Sequence, residues 1–198
     1  MRQETSKTGL SGRPRATLRR DLSRSIRAGH PWVYREALSA PAGLRAGAVV
    51  DLHDASGRFV ARGLYDPASP IAFRVYTLDA DEPIDERLFA RRLTRALALR
   101  QALYELGDGK TSAFRLCNGE GDFLPGVVID IYGPVAVIIF DGGQDGPARA
   151  FIEAITDAVV ALCQPLGLLA VYERFQRRSG GGGRLLWGQL PDGENQPG

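Results

Sequence analysis

Val49–Val50–Asp51–Leu52–His53, then Asp54–Ala55–Ser56–Gly57, then Phe59–Val60–Ala61–Arg62–Gly63 reads as a strand, a tight turn and a return strand. Apolar and β-branched residues fill both runs, and Gly57 supplies a position free to take positive φ, so the three segments predict a hairpin. The loop Tyr65–Asp66–Pro67–Ala68–Ser69–Pro70 follows. Ile71–Ala72–Phe73–Arg74–Val75–Tyr76 then alternates with period two, as a half-buried strand does. Short strands separated by Gly/Pro turns, from Trp32 to Thr77, predict a small β-barrel-like module.

Upstream, Leu18, Leu22 and Ile26 recur at i, i+4 and i+8. That spacing predicts one apolar stripe on a helix over Ala16–Ile26, with Arg19, Arg20, Arg24 and Arg27 on its other faces. Gly29–His30–Pro31 ends it, because proline disfavours the α region for the residue before it. Residues 1–15 carry Ser, Thr, Gly and Arg with no apolar period and read as a flexible basic tail. Arg2, Lys7, Arg13, Arg15, Arg19, Arg20, Arg24, Arg27 and Arg35 all precede residue 36, opposed there only by Glu4 and Asp21. The net charge of the 198-residue chain is only +2, so the rest is net acidic. One end is thus suited to a polyanion.

Downstream, Asp79–Asp85 reads as an acidic linker. Asp85 is placed to cap a helix in which Leu88, Phe89, Leu93, Leu97 and Leu103 recur through Tyr104, ending at Gly107–Thr111. Arg87, Arg91, Arg92, Arg95 and Arg100 on that helix read as a solvated face. Ala113–Cys117 is a strand, Asn118–Asp122 a tight loop, and Val127–Tyr132 and Val135–Phe140 form a second hairpin about Gly133–Pro134. Ala148–Leu162 is an apolar helix and Ala170–Glu173 a last strand. The expected organisation is a tail over 1–15, a β module over 16–78, a mixed α/β domain over 85–176, and a linker or ragged end over 177–198.

Composition fits a cytoplasmic globular protein: 44% hydrophobic and 24% charged residues, with two cysteines. Cys117 and Cys163 form no C-x-x-C pair and read as reduced interior thiols. His30 and His53 lack metal-ligand spacing, so no metal is expected. No apolar run reaches the roughly 18 residues of a membrane span.

Three segments bear on chemistry. In His30–Pro31–Trp32–Val33–Tyr34, an extended backbone puts Trp32 and Tyr34 on one side. They could form a stacking platform beside the arginines, but tryptophan's preference for the interior makes Trp32 a core anchor first. Arg19, Arg20, Arg24, Arg27, His30 and Tyr34 are the candidate RNA-binding residues. Glu120 and Asp122, two residues apart in a glycine-rich loop, could serve as acid and base or hold a cation. The simpler reading has them stabilising the turn, through Arg115 or backbone N–H groups. The glycine run Gly180–Gly183 follows a strand but opens no helix, so it is not a dinucleotide cradle.

Several of these segments resemble one family. Gly29–His30–Pro31–Trp32–Val33–Tyr34 looks like the "GHPWVF" opening of the RlmI-type large-subunit rRNA cytosine-C5 methyltransferases. Arg62–Gly63–Leu64–Tyr65–Asp66–Pro67–Ala68–Ser69–Pro70–Ile71–Ala72–Phe73–Arg74 is similar to their "GxYNPxSxIxxR", with Asp66 where Asn is usual. Arg115–Leu116–Cys117–Asn118–Gly119–Glu120–Gly121–Asp122–Phe123–Leu124–Pro125–Gly126–Val127–Val128–Ile129–Asp130 resembles "RLVxGEGDxLPGLIVD", and Tyr172–Glu173–Arg174 a later "YER". The resemblance spans about residues 16–190.

The resemblance implies an α/β (α+β) chain: a PUA-like RNA-binding pseudo-barrel, then a mixed α/β domain. In the family a third, Rossmann-like domain binds S-adenosylmethionine and carries the catalytic cysteine. The chain ends where that domain is expected, just past Pro191–Asp192–Gly193–Glu194–Asn195. No catalytic or cofactor-binding residue is therefore assigned, and the chain alone is expected to be inactive. Ribosomal RNA is the expected partner, with a homodimer left open and no membrane involved. The alternatives are a stand-alone PUA-type RNA-binding protein and a degenerate protein-interaction module.

Overall fold

The computed structural model describes residues 12–104, 106, 111–176 and 181–191. The expected tail over residues 1–11, the helix end over 107–110 and the segments 177–180 and 192–198 lie outside the described residues.

The first sheet has six strands: β1 (Arg15–Leu18), β2 (Trp32–Tyr34), β3 (Leu38–Ser39), β4 (Val49–His53), β5 (Phe59–Tyr65) and β6 (Ile71–Thr77). Their order is β2-β6-β5-β4-β1-β3. The expected hairpin is β4–β5, and β6 continues it antiparallel. Its turn is built on Asp54, whose carboxylate accepts from the Ser56 hydroxyl and from the backbone N–H groups of Ser56 and Arg58. Those bonds, the Ser56 hydroxyl first, hold the Asp54 carboxyl far below the usual carboxylate range. Gly57 follows with φ 83°.

The two edge strands, β2 and β3, are consecutive in sequence and joined only by the 3-10 turn Arg35–Ala37. So short a link can connect opposite edges of a six-stranded sheet only if the sheet rolls up. The result is a nearly closed barrel with a seam between β2 and β3. Ala16, Leu18, Val33, Leu38, Val50, Leu52, Val60 and Phe73 fill it, with Ile26 plugged in from the short helix α1 (Ser23–Arg27).

The helix expected over Ala16–Ile26 is therefore wrong in its first half. Ala16 and Leu18 point inward while Arg15 and Thr17 point out, the period of a strand. β1 pairs in parallel with β4, Ala16 opposite Leu52, and antiparallel with β3. Leu18, Leu22 and Ile26 do meet one core, but from a strand, a loop and a helix. The basic tail also ends earlier than expected, since Pro14 accepts a hydrogen bond from Asp51 N–H and Arg15 lies in β1.

The second sheet has the order β11-β10-β9-β8-β7, formed by β7 (Ala113–Asn118), β8 (Val127–Tyr132), β9 (Val135–Phe140), β10 (Ala170–Arg174) and β11 (Gly183–Gly188). β9 and β10 are parallel, which demands a crossover, and α3 (Ile152–Cys163) supplies it. The Ala148–Leu162 helix begins as a 3-10 segment, Pro147–Phe151, before α3 proper. α2 (Glu86–Leu103) is capped as expected, the Asp85 carboxylate accepting from Leu88 N–H. Leu88, Phe89, Leu93 and Leu97 of α2 join Ile155 and Val159 of α3 and Leu116, Ile129 and Ile138 of the sheet in one core. The expected ragged end is corrected by β11, which pairs antiparallel with β10. Glu173 of β10 fixes that end by accepting from both Arg149 and Arg184.

Polar contacts tie the two sheets together. Tyr76 donates its hydroxyl to Pro125 O at 2.8 Å. Arg92 of α2 donates to the carbonyls of Tyr76 and Phe123. Arg74, 2% exposed, donates to Asp66 at 3.2 Å and to Asp141 at 2.7 Å.

Candidate nucleic-acid interface

The strand β1 ends at Leu18, and the chain turns outward through Arg19 and Arg20 into α1. Asp21 starts the helix by accepting from Ser23 N–H. Ser23 and Ile26 face inward, which leaves Arg24 and Arg27 exposed in the last turn. Cations there oppose the negative end of the helix dipole, so the helix gains from them. Gly29, at φ 103°, turns the chain into β2. His30 is exposed, its ring 6.2 Å from that of Trp32.

The candidate RNA-binding residues divide into two groups. Arg24, Arg27 and His30 lie along α1 and the turn after it. Arg19 lies at the seam, its Nε donating to Leu38 O at 2.9 Å. Arg20 sits between them, 3.7 Å from Glu36 in an exposed pair worth little. Tyr34, 38% exposed, ends β2 beside the seam.

Arg35, in the sequence only one member of the basic N-terminal cluster, joins the seam. Its Nη2 donates to Pro67 O at 2.7 Å and to Ser69 O at 2.6 Å. Arg19 and Arg35 line an open cavity of about 570 Å³ together with Glu36, Ala68 and Pro70. Only the charge asymmetry of the first 35 residues hinted at this, because the cavity is assembled from three loops.

Trp32 is not the core anchor expected of it. It is half-buried, absent from the barrel core, and donates its indole N–H to Glu120 at 2.9 Å. Trp32 and Tyr34 therefore form no joint platform: one is committed to the acidic loop, and β2 slips register between Val33 and Tyr34.

The acidic loop is held by its surroundings. Asp122 accepts both terminal nitrogens of Arg100, at 2.6 and 2.7 Å, and Asn118 N–H at 2.7 Å. The bonds to Asp122 raise the Arg100 pKa further. Arg115 pairs with Asp130 across the β7–β8 ladder, not with either loop carboxylate. Phe123 closes the loop at φ 60°, a left-handed conformation unusual for an aromatic residue. Glu120 and Asp122 thus each have a fixed partner.

Burial pushes the thiols up, Cys117 to about 12 and Cys163 to about 11, so neither is a thiolate nucleophile at neutral pH. Among the described residues no cluster of three His, Cys, Asp or Glu side chains suits a metal, and no helix is long and apolar enough to cross a membrane.

Residues 16–78 match a family model described as a PUA-like domain. Ribosomal RNA large subunit methyltransferase I of Alteromonas mediterranea is 42% identical over 135 residues, 67% of this chain and 34% of that protein. The protein of the same description from Tolumonas auensis is 33% identical over 185 residues, 89% of this chain and 44% of that one. A solved structure described as a SAM-dependent methyltransferase from Streptococcus mutans shares the fold, with a TM-score of 0.73 at 16% identity, over 89% of this chain and 44% of that chain. The chain is thus a mixed α/β protein whose barrel is a PUA-like domain. It is similar to the ribosomal RNA large subunit methyltransferase I proteins, and spans less than half the length of those quoted.

Proposed function

We propose that the chain binds large-subunit ribosomal RNA through the basic edge of its PUA-like barrel. In the whole protein it would present that RNA to a centre transferring a methyl group from S-adenosylmethionine to C5 of cytosine. The observation that carries the reading is the exposure of Arg19, Arg20, Arg24 and Arg27 on the PUA-like domain. Guanidiniums on a rigid scaffold bind phosphates by displacing counterions, which gives affinity before any base is read. His30 and Tyr34 add exposed rings beside them, suited to stacking on unpaired bases.

The glycine run offers the cofactor no helix-start cradle. Gly181–Gly183 runs into β11, the antiparallel partner of β10. The run opens a strand and not a helix, so its N–H groups are not those of a helix start. No step is assigned to S-adenosylmethionine in these residues. The same reading puts the protein in the cytoplasm with ribosomes, and a homodimer is compatible with it.

The test is binding of a fluorescently labelled large-subunit rRNA fragment, followed by anisotropy over a range of salt. The reading expects affinity that falls steeply with salt, and an Arg20→Ala/Arg24→Ala/Arg27→Ala variant with weaker binding and a flatter salt slope. No binding at low salt, or binding indifferent to salt, would overturn it.

A further inference from the structure

We propose that the seam of the barrel is a nucleotide subsite, in which Arg19 and Arg35 clamp one phosphodiester of an unpaired RNA strand. The inference rests on the RNA-binding reading and narrows it to one place and one chemistry.

The two guanidiniums are anchored without being neutralised. Arg19 commits its Nε to Leu38 O, and Arg35 commits its Nη2 to Pro67 O and Ser69 O. Carbonyl partners fix geometry but carry no formal charge. Each guanidinium has five N–H donors, so Arg19 keeps both terminal amino groups and Arg35 keeps Nε and Nη1 for a ligand. Neither is ion-paired with a carboxylate among the described residues; the nearby Glu36 lies against Arg20. Two pre-positioned, unneutralised forks on one cavity are a built anion site, because the ordering cost of long side chains is met in the free protein.

Two cavities meet at these arginines. One, of about 570 Å³, is open and lined also by Glu36, Ala68 and Pro70. The other, of about 190 Å³, shares both arginines and is lined by Leu38, Ala40, Tyr65 and Ala72. That is below the roughly 300–1,000 Å³ of small-molecule sites, so it takes one ring-sized group. A polyanion with a flat ring beside each phosphate matches the pair. An RNA duplex does not, because its bases are stacked inside.

The experiment compares the full chain with two variants, on a fluorescein-labelled single-stranded RNA of about 20 nucleotides, by anisotropy from about 50 to 200 mM salt. Arg19→Ala/Arg35→Ala removes the clamp. Ala68→Asp puts a negative charge on the lining of the open cavity and leaves both anchors intact; the Ala68 side chain is exposed, and its N–H bond to Asp66 survives the change. Each variant is expected to lose roughly tenfold or more in affinity at low salt, and the double variant to flatten the log–log salt slope by about 0.7 for each phosphate no longer neutralised. Should the double variant not fold, Ala68→Asp decides. If the wild type binds and a folded Ala68→Asp protein binds as well with the same slope, the subsite is wrong while RNA binding stands. If the wild type binds the labelled rRNA fragment but not this unpaired strand, the subsite alone falls; if it binds neither, both fall together.

Discussion

Trp32 and Glu120, 88 residues apart in sequence, are joined by one hydrogen bond from indole N–H to carboxylate. Trp32 belongs to the barrel and Glu120 to the loop between β7 and β8. The bond ties the segment that enters the barrel after α1 to the glycine-rich loop of the second sheet. Trp32→Phe keeps a large ring and removes the donor. It should cost about 1 kcal/mol in urea denaturation, as should Glu120→Ala. The double variant should cost clearly less than the sum, and strict additivity would show that the bond contributes nothing.

Arg74 is the second connector, and its two carboxylates should differ. Asp66 is buried with it, while the Asp141 side chain is 58% exposed. Asp66 also accepts from the N–H groups of Ala68 and Ser69, so it shapes the β5–β6 loop. Asp66→Ala should cost about 3 kcal/mol or more, the range for breaking a buried pair. Asp141→Ala should cost well under half of that, because solvent screens its partner. Asp66→Asn should fall between, since an amide oxygen still accepts the loop N–H groups but no longer pairs charge with Arg74. Equal melting temperatures for all three would contradict this.

Glu173 gives the protein an acid-sensitive end. Burial raises its pKa, but the hydrogen bonds from Arg149 and Arg184 outweigh that and hold it below its ordinary 4.5. A depressed carboxylate stabilises the fold fully above its unfolded pKa, and this is lost as pH falls through the lower folded value. Glu173→Gln should therefore cost stability at pH 7 and progressively less as pH falls below about 4.5. Urea midpoints across that range would check it, and a cost independent of pH would refute the assignment.

Both thiols should be silent in the native protein. With Cys117 pushed up to about 12 and Cys163 to about 11, a thiol reagent at pH 8 meets almost no thiolate. Reaction should wait for denaturant and then release two equivalents. Rapid native labelling of either residue would show that its burial is transient.

The parts of the fold legible in the sequence are those with local causes. Asp54 and Gly57 make the β4–β5 turn, Asp85 caps α2, and Gly133–Pro134 splits β8 from β9. Each lies within a few residues of what it organises. β1 reads as a helix because its partners, β4 and β3, lie elsewhere in the chain, and a helical spacing arises by coincidence among Leu18, Leu22 and Ile26. β11 is hidden because its glycine-rich surroundings mask a strand that exists by pairing with β10. Of the candidate interface, the exposed arginines follow from charge alone, but the juxtaposition of Arg19 with Arg35 does not, since barrel closure creates it. The same holds for Trp32, whose partner is set by how the two sheets meet.

The anchors of the seam have an evolutionary consequence. Arg19 and Arg35 are aimed by carbonyls of Leu38, Pro67 and Ser69, and a carbonyl persists whatever side chain its residue carries. A change of side chain at Leu38 therefore deletes no anchor, and at Pro67 and Ser69 what matters is the main-chain path that those residues shape. The two guanidiniums themselves have no such latitude. Relatives that share this seam should thus tolerate change at Leu38 while retaining the arginines, whereas Pro67 and Ser69 are fixed letters of the family segment and Ser69 Oγ itself accepts from Ile71 N–H, which holds the main-chain path that aims Arg35.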